Sequence, residues 1–146
     1  MVGVVEHAQP AFRWRTRVYW EDTDAGGVVY HAGYLRFLER ARTEWMRAHG
    51  MGQQALRESQ GVVFVVREID IAFDKPARLD DELDATLRVT RLRSASIEFA
   101  QEVLRAADGV TLARARVRIA CVDAREFVPV RIPPDISALI EGNTHA

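Results

Sequence analysis

Residues 21–34, EDTDAGGVVYHAGY, combine three carboxylates, two adjacent glycines and a histidine. The flanking sequence places them between a strand-like segment and a helix-like one. The first N–H groups of a helix have no partner within the helix and carry a partial positive charge. A carbonyl oxygen bound there would be polarised while a carboxylate attacked its carbon or activated a water molecule. The stretch therefore favours acyl-transfer chemistry.

The same stretch also has a purely structural interpretation. Asp22 or Asp24 could cap the helix by accepting hydrogen bonds from its first amides. Gly26 and Gly27 could simply form a turn, and His31 could be satisfied by a neighbouring group. The residues by themselves leave both interpretations open.

Other familiar catalytic motifs do not occur in the sequence. There is no G-x-S-x-G motif, and the four histidines lack the spacing of metal ligands. Lys75 is the only lysine, and it does not belong to a glycine-rich phosphate-binding loop. We therefore predict no metal site and no nucleotide-phosphate loop of the Walker type.

Hydrophobic periodicity predicts the elements that hold the stretch. A period of two, typical of strands, recurs in five segments, and helical spacing over 31–49 predicts one long helix that Gly50 ends. The strand-like segments are 13–20, 62–73, 83–90, 97–103 and 113–121. Short helices are predicted at 53–60 and 135–141.

The predicted order is β-α-β-β-β-β, and short connections between the later strands imply antiparallel pairing. The sheet has one apolar face, and the long helix is the only long amphipathic element that can cover it. We therefore predict an α+β fold in which a curved antiparallel five-stranded sheet wraps around one long central helix. The 146 residues form a single domain, with residues 1–11 as a loose N-terminal arm.

Composition narrows the compartment and the partners. The formal net charge of −1 gives no reason to expect nucleic acid or an anionic membrane as a partner. Cys121 is the only cysteine, so a reducing compartment without disulfides is expected. The first residues do not resemble a signal peptide, and the longest apolar run, Val62–Val66, is too short to cross a bilayer. We expect a cytoplasmic protein without a transmembrane segment.

The segment RVYWEDTDAGGVVYHAGYLRFLERARTEWMR, residues 17–47, resembles the signature of hotdog-fold acyl-CoA thioesterases related to 4-hydroxybenzoyl-CoA thioesterase. Within that family it is most similar to the branch associated with the Tol-Pal cell-envelope system of Gram-negative bacteria. The resemblance continues more loosely through residues 65–83 and the later strands. The family fold, a sheet wrapped around one helix, agrees with the fold predicted from periodicity.

The resemblance implies roles for individual residues. Asp24 matches the catalytic carboxylate, which acts as a nucleophile or as the base for water. His31 matches the catalytic position whose amide meets the thioester carbonyl, and its ring could assist the reaction. The candidate substrate-binding residues are Gly27, Tyr30 and Tyr34 around the thioester, and Arg91, Arg93 and Ser94 for the phosphates of CoA. Tyr34 also lies on the apolar stripe of the helix, so a core position is its alternative.

The activity implied by the resemblance is hydrolysis of short-chain or aryl acyl-CoA thioesters to free acid and CoA. CoA is part of the substrate, and no further cofactor is expected. Two alternatives stay open, namely a non-catalytic module that binds acyl-CoA or acyl carrier protein within an envelope complex, and a hotdog hydratase. The family also implies a homodimer or homotetramer with sites at the dimer interface.

Overall fold

The computed structural model describes residues 3–4 and 12–145. The strands in this part of the chain are β1 (Gly3–Val4), β2 (Phe12–Arg17), β3 (Val62–Phe73), β4 (Glu82–Leu92), β5 (Ser96–Arg105) and β6 (Thr111–Asp123). The helices are α1 (Gly33–Ala48), α2 (Gln53–Gln60) and α3 (Pro134–His145). None of these described helices is both long and apolar enough to span a bilayer.

The strands form one sheet in which every pairing is antiparallel, as predicted. The order is β1-β4-β5-β6-β3, and β2 pairs with the first part of β4. The five long strands are those predicted from the alternation of apolar residues. The two-residue β1, which pairs with the last two residues of β4, is an addition to the predicted sheet.

The strand register gives the sheet two distinct ends. Arg17 of β2 pairs with Glu82 of β4 at the end where residues 21–34 follow β2, and Phe73 closes β3 there. We call this the site end. The opposite end, where β4 finishes at Leu92, we call the far end. Eleven residues of β4 separate the two ends by about 33 Å, at about 3.3 Å per residue.

Helix α1 covers the apolar face of the sheet and packs against β2, β4 and β5. Its buried side chains include Tyr34, Phe37, Leu38 and Trp45, which recur at helical spacing along one face. Trp45 meets Phe99 of β5 edge-on, with ring centroids 5.4 Å apart. The predicted α+β fold, a sheet around one central helix, is therefore confirmed.

The end of β2 differs from the sequence prediction, which extended this strand to position 20. The strand ends at Arg17, and one further backbone bond follows it, with Val18 N–H donating to the Asp81 carbonyl at 2.9 Å. Trp20 then begins a 3₁₀ turn, and its side chain is 80% exposed rather than directed to the core.

Smaller differences occur at other boundaries. Helix α1 begins at Gly33, two residues later than predicted, and α3 is longer than the predicted 135–141 at both ends. In the predicted loose arm, Gly3–Val4 pairs with β4, and the other residues of 1–11 lie outside the described part of the chain.

Candidate active site

A 3₁₀ turn, Trp20–Asp22, connects β2 to the loop that carries Asp24. Asp22 fixes this turn, because its Oδ2 accepts a hydrogen bond from the Tyr19 N–H at 2.8 Å. Asp22 is buried, and its Oδ1 lies 4.0 Å from Arg36 Nη2. The side chain therefore stabilises the backbone before the 3₁₀ turn, and the predicted capping of the long helix by Asp22 is wrong, since α1 begins after Ala32 without a side-chain cap.

Asp24 opens a tight turn. Gly27 N–H donates to the Asp24 carbonyl at 3.0 Å, and Asp24 N–H donates to the Val28 carbonyl at 2.9 Å. Thr23 and Val29 pair across the base of the turn. Gly27 has a φ of 79°, in the left-handed region that a residue with a side chain rarely adopts. The backbone thus holds Asp24 at a defined position in the loop that leads to α1.

The Asp24 carboxylate is exposed, and one of its oxygens is anchored. Oδ1 accepts a hydrogen bond from the Gly26 N–H at 2.8 Å, whereas Oδ2 has no hydrogen-bond donor among the described residues. A Cβ on Gly26 would lie 3.2 Å from Oδ1, so glycine leaves the room that this contact needs. The free oxygen can face a substrate carbon or a water molecule.

The backbone before α1 presents unused hydrogen-bond donors. Gly33 N–H donates to the Tyr30 carbonyl at 2.7 Å, and Tyr34 N–H donates to the His31 carbonyl at 3.3 Å. Within the described ranges, no group accepts a hydrogen bond from the N–H of His31 or Ala32. Two adjacent donors at a helix start can bind a developing oxyanion.

A row of aromatic rings runs from the surface of the site into the core. The Tyr30 and His31 rings are 4.4 Å apart, His31 and Phe73 are 6.1 Å apart, and Phe73 and Tyr34 are 5.4 Å apart. Tyr30 is 50% exposed, Phe73 is 48% exposed and Tyr34 is 3% exposed. The sequence predicted the two tyrosines, but it did not indicate Phe73 as a neighbour of the site.

Tyr34 supports the site from within the core. Its hydroxyl oxygen accepts a hydrogen bond from the buried Ala77 N–H at 3.0 Å. Burial raises the pKa of Tyr34 above its ordinary value. The bond fixes the segment that follows β3 against α1, and this agrees with the core alternative for Tyr34. A direct contact between Tyr34 and substrate stays a prediction.

Arg91, Arg93 and Ser94 lie at the far end of the sheet, so one chain does not bring them to Asp24. Arg93 N–H donates to the Ser96 carbonyl at 2.8 Å, and Arg93 Nε lies 3.4 Å from Glu98 Oε2. The Ser94 carbonyl accepts a hydrogen bond from Ile132 N–H at 2.8 Å. Hydrogen bonds of its backbone thus hold the hairpin connection between β4 and β5 in place.

Other cations lie at the site end of the chain. Arg78 pairs through its backbone with Val28 of the site loop. Lys75 is exposed, and its backbone N–H donates to the Leu112 carbonyl at 3.1 Å. The described residues contain no group of three or more His, Cys, Asp or Glu side chains that could hold a metal ion.

Comparisons with known proteins identify similar sequences. The sequence profile of the Thioesterase-like superfamily matches residues 18–140. "Acyl-CoA thioester hydrolase YbgC" of Escherichia coli is 47% identical over 127 residues, which cover 87% of this chain and 93% of that protein. "Acyl-CoA thioesterase YbgC" of Haemophilus influenzae is 45% identical over 127 residues, covering 87% and 92%.

Solved structures share the fold. A probable thioesterase from Bartonella henselae has a TM-score of 0.79 and 38% identity, and the match covers 85% of this chain and 100% of that one. A 1,4-dihydroxy-2-naphthoyl-CoA thioesterase from Synechocystis has a TM-score of 0.84 at 24% identity, covering 94% and 100%. At that identity the second likeness concerns the fold alone.

Proposed function

Because the chain belongs to the Thioesterase-like superfamily, we propose that it hydrolyses short-chain or aryl acyl-CoA thioesters to a free acid and CoA. The observation that carries the proposal is one loop that combines the exposed Asp24 carboxylate with the free N–H groups of His31 and Ala32. The Escherichia coli relative, named an acyl-CoA thioester hydrolase, supports the substrate class.

In the first form of the mechanism, Asp24 acts as a general base. The thioester oxygen accepts hydrogen bonds from the N–H groups of His31 and Ala32, which polarise the carbonyl. Asp24 takes a proton from a water molecule as the water oxygen attacks the carbonyl carbon. The C–S bond then breaks, and the CoA sulfur leaves with a proton as the free thiol.

In the second form, Asp24 is the nucleophile. Its Oδ2, which has no partner in the described part of the chain, attacks the carbonyl carbon and displaces the CoA thiolate. The resulting mixed anhydride is hydrolysed by water, which returns the carboxylate and releases the acid. Both forms need the same carboxylate and the same donors, so both are retained within the proposal.

We also propose that two copies pair along β3. This strand lies at an edge of the sheet, and Val66 in its middle is 50% exposed. Exposed edge strands with apolar side chains are places where another chain can add. Antiparallel pairing about a two-fold axis would set the far end of β3 in one copy beside the site end of β3 in the other, with Arg91 and Arg93 three strands in from that edge. A homodimer, or a homotetramer built from such dimers, is the expected assembly.

Three further expectations from the sequence stay predictions. They are the association with the Tol-Pal system, acyl carrier protein as a second partner, and a cytoplasmic location. Pull-down of the protein with Tol-Pal components or with acylated carrier protein would test the first two. Fractionation of cells would test the third.

The direct test of the proposal is thiol release from a panel of acyl-CoA and aryl-CoA thioesters. We expect steady-state turnover of at least one member, with one free thiol formed for each acid. Retained binding of acyl-CoA without any turnover would instead support the non-catalytic module. Addition of water to an enoyl-CoA without thiol release would support the hydratase.

A further inference from the structure

Phe73 marks the boundary between the hydrophobic core and the candidate site. On one side its ring lies 5.4 Å from that of the buried Tyr34, at an angle of 60°. On the other side it meets the exposed His31 ring edge-on, with 6.1 Å between the centroids. About half of the Phe73 side chain is left uncovered. A half-exposed aromatic ring beside a reactive loop is a surface that can contact an apolar group of a ligand.

The backbone on both sides of Phe73 is held firmly. Phe73 pairs with Ala113 of β6, and the next residue, Asp74, donates its N–H to the Leu112 carbonyl at 2.8 Å. The Asp74 carboxylate also accepts two hydrogen bonds from Arg114, at 2.8 and 3.1 Å. The ring therefore stands on a fixed strand end and can act as a fixed wall.

The position of the Phe73 ring indicates which part of the substrate it would contact. A thioester whose oxygen is bound by the His31 N–H lies beside the His31 side chain, which contacts two aromatic rings, the exposed Tyr30 and, toward the core, Phe73. We infer that Phe73 limits the size of the acyl group that this enzyme accepts. The inference rests on the proposed function, and it names the substrate specificity of that site.

The physical basis is exclusion of volume by a ring attached to a firmly held strand end. Each methylene that fits or fails to fit an apolar pocket changes specificity by about 10- to 200-fold. A smaller side chain at position 73 opens space next to the acyl group, so longer chains gain more than short ones. Loss of the ring would not remove Asp24 or the backbone donors, so short acyl groups would still react.

The test compares butyryl-CoA with octanoyl-CoA in steady-state kinetics of the full chain. For Phe73→Ala we expect the ratio of kcat/KM for octanoyl-CoA to that for butyryl-CoA to rise about 10-fold. Phe73→Leu should show a smaller rise, and Phe73→Tyr, which keeps the ring, should keep the wild-type ratio. The matched control is Phe127→Ala, because Phe127 is similarly exposed but lies at the far end.

The outcomes separate this inference from the proposed function. A wild-type protein that hydrolyses no member of the acyl-CoA and aryl-CoA panel would refute the proposed function itself, whereas one that hydrolyses only aryl thioesters would refute the chain-length role of Phe73. An active wild type, with an unchanged ratio in both Phe73→Ala and Phe73→Leu, would refute only the role of Phe73. Equal losses on both substrates would also overturn it, because they would make the ring a structural element. If Phe73→Ala fails to fold, the rise expected for Phe73→Leu decides the question.

Discussion

The two ends of the sheet use the same kinds of element but leave different groups exposed. At the far end, the connection after β4 closes with backbone bonds, as Cys121 N–H donates to the Ala95 carbonyl and Ile132 N–H to the Ser94 carbonyl, both at 2.8 Å. At the site end, the donors of His31 and Ala32 have no acceptor in the described ranges.

This difference shows which connection is built for stability and which is available for a ligand. Backbone groups that are not paired in the protein must be satisfied by solvent or by a bound molecule. The site end also exposes the Tyr30 and Phe73 rings, which gain by being covered. Polar and apolar groups are thus both left available at the same place.

The strongest test of the comparison is removal of the Asp24 charge. Asp24→Asn keeps the shape of the side chain, but it can neither accept a proton nor attack carbon. We expect turnover of acyl-CoA to fall by about 10²-fold or more, with little change in binding of CoA. Assays of thiol release would measure turnover, and calorimetric titration would measure the binding of CoA.

The matched control for this variant is Glu21→Gln, which neutralises an exposed carboxylate of the same loop. It should keep turnover near that of the wild type. Near-normal activity of Asp24→Asn would exclude Asp24 as the base or nucleophile and would turn attention to Asp22.

A second test separates the imidazole of His31 from its backbone N–H. His31→Ala keeps the N–H donor but removes the ring that contacts Tyr30 at a tilt of 44°, so we expect a fall in kcat of about 10-fold. A fall of 10² or more, about 2.7 kcal/mol in the barrier, would assign the ring a direct part in the reaction. His49→Ala, at the opposite end of α1, is the control, since its ring bonds only to the Trp45 carbonyl among described residues.

A third test asks which end binds the nucleotide of CoA. If two copies pair along β3, Arg91→Ala with Arg93→Ala should raise the KM for acyl-CoA by about 3- to 10-fold, and more so at low salt. A short pantetheine thioester, which lacks the nucleotide, should react equally with both enzymes. If Lys75→Ala with Arg78→Ala raised KM and the far-end pair did not, the nucleotide would bind at the site end instead.

The smallest expected effect concerns Asp74, which anchors the strand end behind Phe73. Its hydrogen bonds from Arg114 hold the pKa of Asp74 below the ordinary value. The bonds therefore stabilise the fold at pH values above the ordinary aspartate pKa of about 3.9, and this contribution is lost as pH falls through the lower native pKa. Because the pair is exposed, Asp74→Asn should lower the melting temperature at neutral pH by no more than about 2 °C.

The difference between the wild type and Asp74→Asn should disappear in strong acid. Thermal unfolding followed by circular dichroism at several pH values would measure it. Glu126→Gln, an exposed acid with no ion pair among the described residues, gives the baseline. A difference that grows as pH falls would contradict the assigned role of the ion pair.

Much of the fold follows from short-range patterns in the sequence. The apolar spacing of α1 and the alternation in β3 to β6 are local features, and each was enough to predict its element. The error at Trp20 has a physical reason, since the alternation of residue types continues while the chain turns into the 3₁₀ helix Trp20–Asp22. This turn is held by the Asp22 carboxylate, which accepts a hydrogen bond from the Tyr19 N–H, and apolar periodicity does not reveal such a bond.

The candidate site was predictable only in part for the same reason. Asp24 and His31 lie within one loop, so their spacing was visible in the sequence. Phe73 is more than 40 positions away from His31, and only the fold brings its ring to the site. Arg91 and Asp24 lie at opposite ends of the sheet because of strand direction and register. Neither can be read from the residues around Arg91 or Asp24.

The position of Lys75 has a practical consequence. It is the only lysine of the chain, and its side chain is exposed in the segment between Phe73 and Arg78 at the site end. Amine-reactive dyes would therefore modify one side chain besides the α-amine, and the fluorescence of a dye on Lys75 would respond to events next to the loop. Coupling through the same amine to a sensor surface would fix the protein with its site toward the support. For measurements of ligand association, the protein should therefore be attached to the sensor surface through a terminal tag.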